Sequence, residues 1–224
     1  KSLFYLQKNG FGRQGLVEAF LGVLYLRQKR YDLAYERLSE SFALGREVGS
    51  FDLNTLLFLS EHYFYRKDFA RATRMAELSL KTLEGLPSLS KSNRASEIRQ
   101  DLMECRSRLL YILAFIHHSK QTLEEMNEAY RLYTQALENW PGNHPARFGL
   151  AQVYYYQRNY TDCVQLMEKL VTGSSESESR ECFLLMANSY MRLMLRSQAQ
   201  EFFEKTVRYF PRNIENLADF AGFL

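Results

Sequence analysis

The chain has 224 residues, 46% of them hydrophobic, with 29 basic against 26 acidic side chains and a net charge of +3. That is enough apolar mass for a sizeable core and too small a positive excess to argue by itself for nucleic acid. No apolar run reaches the length of a membrane-spanning helix, and no basic-then-apolar leader opens the chain.

Residues 1–14 begin with an apolar patch (Leu3, Phe4, Leu6) and a Gly10-Phe11-Gly12 turn, which we read as the tail of a preceding structural unit. A first helical hairpin is expected over 15–48, carrying Gly22-x-x-Tyr25, then Ala34 and Leu38, with Arg30-Tyr31 at its turn. A second is expected over 53–86, carrying Ser60-x-x-Tyr63, then Ala72 and Ala76, with Asp68-Phe69 at the equivalent turn. The register then breaks, and the stretch from Gly85 through Pro87 to Asn93 supplies a loop. Beyond it, Ile98, Leu102, Cys105, Leu109, Ile112 and Ile116 keep helical spacing, so one long helix is predicted over about 94–118. It opens a third hairpin, 94–143, in which Ala114-x-x-His117 faces Ala129, Tyr133 and Ala136 before Pro141. Because Ala129 lies further from Ala114 than its counterparts do, this hairpin is expected to have a turn three residues longer. A fourth hairpin, 144–179, carries Ala151-x-x-Tyr154, Cys163 and Met167. A fifth, 180–213, carries Ala187-x-x-Tyr190, Ala199, Phe203 and Pro211. The polar run 172–179 joins those two, and a partial sixth spans 214–224. The chain reads as one array cut from a longer protein, so missing targeting signals are uninformative.

In four of these phrases the second small residue follows the first by 12 positions (22 and 34, 60 and 72, 151 and 163, 187 and 199). Small residues facing each other across a hairpin let two helix axes approach to about 8–10 Å. The aromatic residue one turn on stays on the same face and covers the seam. Prolines close the second helices. The step from Ala187 to Ala221 is 34 residues, which with these phrases resembles the tetratricopeptide repeat. The fold expected is all-α, a right-handed superhelical solenoid of about five hairpins with partial repeats at the ends.

Catalytic chemistry is not apparent. His117 and His118 are adjacent, so on a helix they point about 100° apart and cannot share a metal. His62 and His144 have no Cys or carboxylate at ligand spacing. Gly10-x-Gly12 leads into a helix rather than out of a strand and lacks the rest of a phosphate-binding fingerprint. No nucleophile elbow is present. Cys105, Cys163 and Cys182 are solitary and read as buried small hydrophobes in a reducing compartment. The expectation is a non-enzyme with no cofactor and no metal.

What remains is surface. In this repeat the first helix of each hairpin lines a concave groove, and its positions −3, +1, +4 and +5 from the small residue face inward. They are Ala19, Val23, Leu26 and Arg27; Leu57, Glu61, Phe64 and Tyr65; Tyr111, Phe115, His118 and Ser119; Phe148, Gln152, Tyr155 and Tyr156; and Leu184, Asn188, Met191 and Arg192. The lysines and asparagines that would clamp a C-terminal carboxylate are missing apart from Asn188. An apolar wall with a polar rim suits a segment of another protein. The competing reading is that Phe64, Tyr65, Tyr155 and Tyr156 pack only on neighbouring repeats. Basic clusters at Arg27–Arg30, at Arg66, Lys67, Arg71 and Arg74, and from Lys91 to Arg108 read by default as solvated faces. Their functional reading is an acidic partner or nucleic acid.

Three phrases are more specific than the repeat. They are Leu16-Val-Glu-Ala-Phe-Leu-Gly-Val-Leu24, Asn54-Thr-Leu-Leu-Phe-Leu-Ser-Glu-His-Tyr-Phe-Tyr-Arg-Lys-Asp-Phe69 and Phe148-Gly-Leu-Ala-Gln-Val-Tyr-Tyr-Tyr156. Together they resemble the family of large tetratricopeptide subunits of the RNA polymerase II-associated Paf complex. The resemblance covers about 16–160, and the insertion at 85–93 departs from it. It implies a nuclear scaffold that holds segments of other Paf-complex subunits, notably the namesake subunit. RNA polymerase II and chromatin would then be indirect partners, in elongation and histone modification, with no membrane and no direct nucleic-acid role. The alternatives are an adaptor for a chaperone or cargo complex and an RNA-binding repeat protein.

Overall fold

The computed structural model describes residues 13–86, 93–171, 180–210 and 222. Among these residues all regular structure is helical, in ten helices: α1 (Arg13–Arg27), α2 (Tyr31–Val48), α3 (Leu53–Tyr65), α4 (Phe69–Glu84), α5 (Asn93–Ser119), α6 (Leu123–Asn139), α7 (His144–Tyr156), α8 (Tyr160–Val171), α9 (Arg180–Arg192) and α10 (Arg196–Tyr209). Consecutive helices pack as five hairpins: α1 with α2, α3 with α4, α5 with α6, α7 with α8 and α9 with α10. The first three hairpins fall in a compact unit of residues 1–143, and the last two in a second unit, 144–224. The turn expected at Gly10–Gly12, the residues 87–92 of the insertion, the polar run 172–179, Pro211 and the partial sixth repeat lie outside the described residues.

The small residues sit where two helices come closest. Ala34, Ser60, Ala72, Ala114, Ala129, Ala151, Cys163, Ala187 and Ala199 are all fully buried. Larger apolar side chains then fill the space around them. In the first unit Leu56, Leu59 and Met75 are enclosed by Tyr35, Phe42, Phe58 and Tyr63. In the second, Cys163, Val164, Met167, Met186, Tyr190 and Ala199 form one core, with Phe148, Tyr154 and Tyr155 packed against it. Full burial of a leucine or methionine side chain contributes about 1.5–3 kcal/mol, so these clusters, not helix propensity, hold the short helices in place. The thiols behave as hydrophobes: burial pushes Cys105 up to about 12, and Cys163 also upward.

Every hairpin turns the same way. The residue seven after the small position has a left-handed backbone in all five: Lys29 (φ 58°), Lys67 (60°), Gln121 (57°), Arg158 (62°) and Met194 (62°). In four hairpins the amide of the following residue donates to the carbonyl of the seam tyrosine: Arg30 to Tyr25, Asp68 to Tyr63, Asn159 to Tyr154 and Leu195 to Tyr190, at 2.9–3.0 Å. That pairing, with the left-handed residue's own amide bonded one carbonyl further on, is a Schellman closure. It satisfies the carbonyls that a helix end leaves open. The next helix starts at once. Asp68 caps α4 by accepting from the Arg71 amide at 3.1 Å, and Thr122 caps α6 by accepting from that of Glu125 at 3.3 Å.

The longer turn expected in the third hairpin is not there. α5 ends at Ser119 and α6 begins at Leu123, the same three-residue connection as in the other four. Met126 takes the slot that a small residue fills elsewhere, and Ala129 lies one turn further along α6. Both are buried. Methionine's unbranched chain can fill such a slot, so small-residue spacing there does not report turn length.

Candidate functional site

Each first helix places aromatic residues at its C-terminal end, just before the turn. In the first unit they form a cluster centred on Phe64. Its ring centroid lies 5.4 Å from Tyr65, 5.8 Å from Tyr111 and 5.1 Å from Phe115, with edge-on geometry in each case. Tyr111 continues the cluster to Phe115 and to the buried Tyr133, at 6.3 Å each. Phe64 and Tyr111 pack below on Ala72, Ile112 and Ile116. Above them Tyr65 is 78% exposed and Phe115 37%. The result is an aromatic platform fixed from below and open from above, with an edge-to-face geometry that favours such rings beyond their buried area. Burial pushes the Tyr111 hydroxyl up to about 12.

An ion pair joins the two helices that carry the platform. Arg108 of α5 bonds Glu61 of α3 through Nη2 at 2.5 Å and Nε at 2.8 Å. Burial raises the Glu61 carboxyl, and Arg108 opposes that shift. By sequence alone Arg108 belongs to a solvated basic face. It lies below the segment of α5 that matches the repeat, so only packing of the long helix on α3 reveals the pair.

The second unit has its own group. Tyr155 contacts Tyr156 at 6.2 Å and Tyr160 at 5.4 Å, both edge-on. Arg192 of α9 donates to the Tyr155 hydroxyl, which raises the guanidinium above its ordinary range. Phe148 and Tyr155 are half-buried against the core, whereas Tyr156 is 58% exposed. Gln152 and Asn188 are half-buried. Sequence spacing does not single out Tyr160, because it opens the second helix, where no groove residue is expected.

Two residues expected on the groove wall are covered instead. Ala19 is fully buried and Leu57 only 8% exposed. Helix α3 touches α1 and α5 as well as α2 and α4, and this side-by-side packing of first helices covers their −3 positions. The adjacent histidines face different groups. His117 pairs through Nδ1 with Glu125, which also accepts from Lys120 at 2.6 Å, while His118 approaches the Tyr133 hydroxyl at 3.4 Å. No group of three His, Cys, Asp or Glu residues among the described residues is placed to hold a metal.

Residues 123–172 match the family model described as Tetratricopeptide repeat. Solved structures match over most of the chain. A thermophilic TPR protein of Thermus thermophilus is 14% identical, with a TM-score of 0.51, over 93% of this chain and 98% of that one. YrrB, a TPR protein with an unusual peptide-binding site, is 14% identical, with a TM-score of 0.59, over 97% and 96%. The fold is a tetratricopeptide-repeat fold. A chain of the APC/C hetero-tetramer Cut9-Hcn1 is 13% identical, with a TM-score of 0.58; the match takes in all of this chain and 45% of that one. Comparison with curated protein sequences returns no match.

Proposed function

We propose that the chain is a non-enzymatic scaffold that binds segments of other proteins, and that it acts in the nucleus as a subunit of the Paf transcription elongation complex. The observation that carries the protein-binding reading is the aromatic platform. Tyr65 and Phe115 are exposed over Phe64 and Tyr111 on first helices of a repeat fold. Exposed aromatic rings on a rigid support lose little conformational entropy on binding, and such rings dominate interface energetics. That a protein of the same fold is described as having a peptide-binding site supports the reading. The assignment to the Paf complex is supported by the Leu16–Leu24, Asn54–Phe69 and Phe148–Tyr156 phrases.

The test is affinity purification of the chain from nuclear extract of its source cells, with mass spectrometry of what co-purifies. Recovery of the namesake Paf subunit with RNA polymerase II is the expected result. Recovery of chaperones or transport adaptors without them would refute the Paf assignment.

A further inference from the structure

A cavity of about 220 Å³ lies at the turn end of the second hairpin, walled by Tyr35, His62, Tyr63, Arg66, Asp68 and Arg71. Its residues come from α2, from the end of α3 and from the start of α4. Tyr35 lies flat on His62, with ring centroids 4.2 Å apart, and edge-on to Tyr63 at 6.3 Å. The Arg71 guanidinium sits 5.0 Å above the Tyr63 ring and bonds Asp68 at 2.6 Å.

The polar groups of this cavity are mostly donors. The Tyr35 and Tyr63 hydroxyls are 3.3 Å apart and share one hydrogen, which leaves the other hydroxyl hydrogen free to donate to a ligand. Asp68 is the one carboxylate on the wall, and both of its oxygens are engaged by Arg71. Arg66 makes no ion pair among the described residues. The cavity therefore offers a hydroxyl, the Arg66 guanidinium and the His62 ring to an acceptor from outside. A tetrahedral anion suits these groups, because its oxygens only accept and its charge matches Arg66.

We infer that this cavity binds the phosphoryl group of a phosphorylated side chain on a protein partner. A nucleic-acid backbone presents a row of phosphates, and a single walled cavity that also carries the Asp68 carboxylate suits it less well. The choice of a protein as carrier rests on the protein-binding reading above; the binding of phosphoryl by Arg66 does not. His62 is a built-in reporter. Burial and then Arg66 hold its imidazole below the ordinary value, with Asp32 opposing, so an anion seated among Arg66, Arg71, Asp68 and the two tyrosines would raise it.

The test is an NMR titration of the 224-residue chain, following the His62 ring. The probes are a blocked phosphoserine amide, the blocked serine amide, inorganic phosphate and a short uridine oligonucleotide. The phosphoserine amide should bind saturably and raise the His62 pKa, and the serine amide should do neither. Arg66→Gln, an exposed substitution that leaves the fold intact, should weaken phosphoserine binding by about tenfold or more, the loss of one charge-assisted contact. An equal effect of serine and phosphoserine, or an unchanged affinity in Arg66→Gln, overturns the inference. So does tighter binding of the oligonucleotide, or of inorganic phosphate, at the same ring. The probes are small molecules, so failure of the Paf assignment would leave this result unaffected.

Discussion

Leu38 lies directly over Gly22. A Cβ at position 22 would fall 2.6 Å from Leu38 Cδ2 and closer still to its Cγ. Leu38 is fully buried, so it has no room to swing aside. Alanine would gain about 1 kcal/mol over glycine in helix propensity, but overpacking costs about 1–3 kcal/mol. Gly22→Ala is therefore expected to be net destabilising in urea unfolding. Combined with Leu38→Ala, which alone should cost about 2–5 kcal/mol, the loss should be smaller than the sum, because the second change removes the clash. Strict additivity would show that the two side chains do not meet.

Met194 tests the turn. Its side chain is 85% exposed, so a substitution there changes little except the backbone preference at φ 62°. A non-glycine residue in this region costs about 1–3 kcal/mol. Met194→Gly should leave stability unchanged or raise it by up to about 1 kcal/mol, the relief of strain offsetting the added freedom of the unfolded chain. Met194→Val should lower stability by about 1 kcal/mol or more, since a β-branched residue is disfavoured at positive φ. Equal melting temperatures for glycine and valine would mean that the turn is not held left-handed.

The platform separates affinity from stability. Tyr65→Ala removes an exposed ring and should leave thermal melting within about 0.5 kcal/mol of the parent. With Phe115→Ala it should weaken binding of a partner segment by about tenfold or more in calorimetric titration. Phe148→Ala with Tyr155→Ala should also weaken binding, but with a loss of stability, because both rings pack on the second unit's core. If the Tyr65 and Phe115 variant binds normally, the platform is not the site.

Two histidines set a pH window. Burial lowers His62 and His118 below 6.5, so the folded state resists their protonation. Their contribution to stability is complete above the unfolded value and is lost as pH falls through the lower folded values. Asp52 and Glu61 run the other way. Burial raises both, so their contribution is present below the unfolded carboxylate values and is lost as pH rises through the folded ones. As pH falls from about 7.5 to about 5.5 the two histidines should lower stability, with Asp52 and Glu61 acting in the opposite direction. His118→Gln should flatten that slope whatever it does to the absolute stability. An unchanged slope in chemical denaturation would show that His118 is not held neutral.

The hairpins are legible in the chain before it folds. Small residues facing each other let a helix pair close tightly, and the spacing of Gly22 and Ala34, of Ser60 and Ala72, of Ala151 and Cys163, and of Ala187 and Ala199 reflects that packing. The aromatic residues at the ends of the first helices are legible too, because the groove positions follow from helical periodicity. The third hairpin shows the limit. Ala129 misreports its turn, since a flexible methionine at 126 can fill a slot that elsewhere needs a small side chain. The cover over Leu57, the reach of Arg108 to Glu61 and the stacking of Tyr35 on His62 beside Arg66 emerge only on folding. These pairings join residues on different helices, set by how one helix lies against another, and periodicity within one helix carries no record of that.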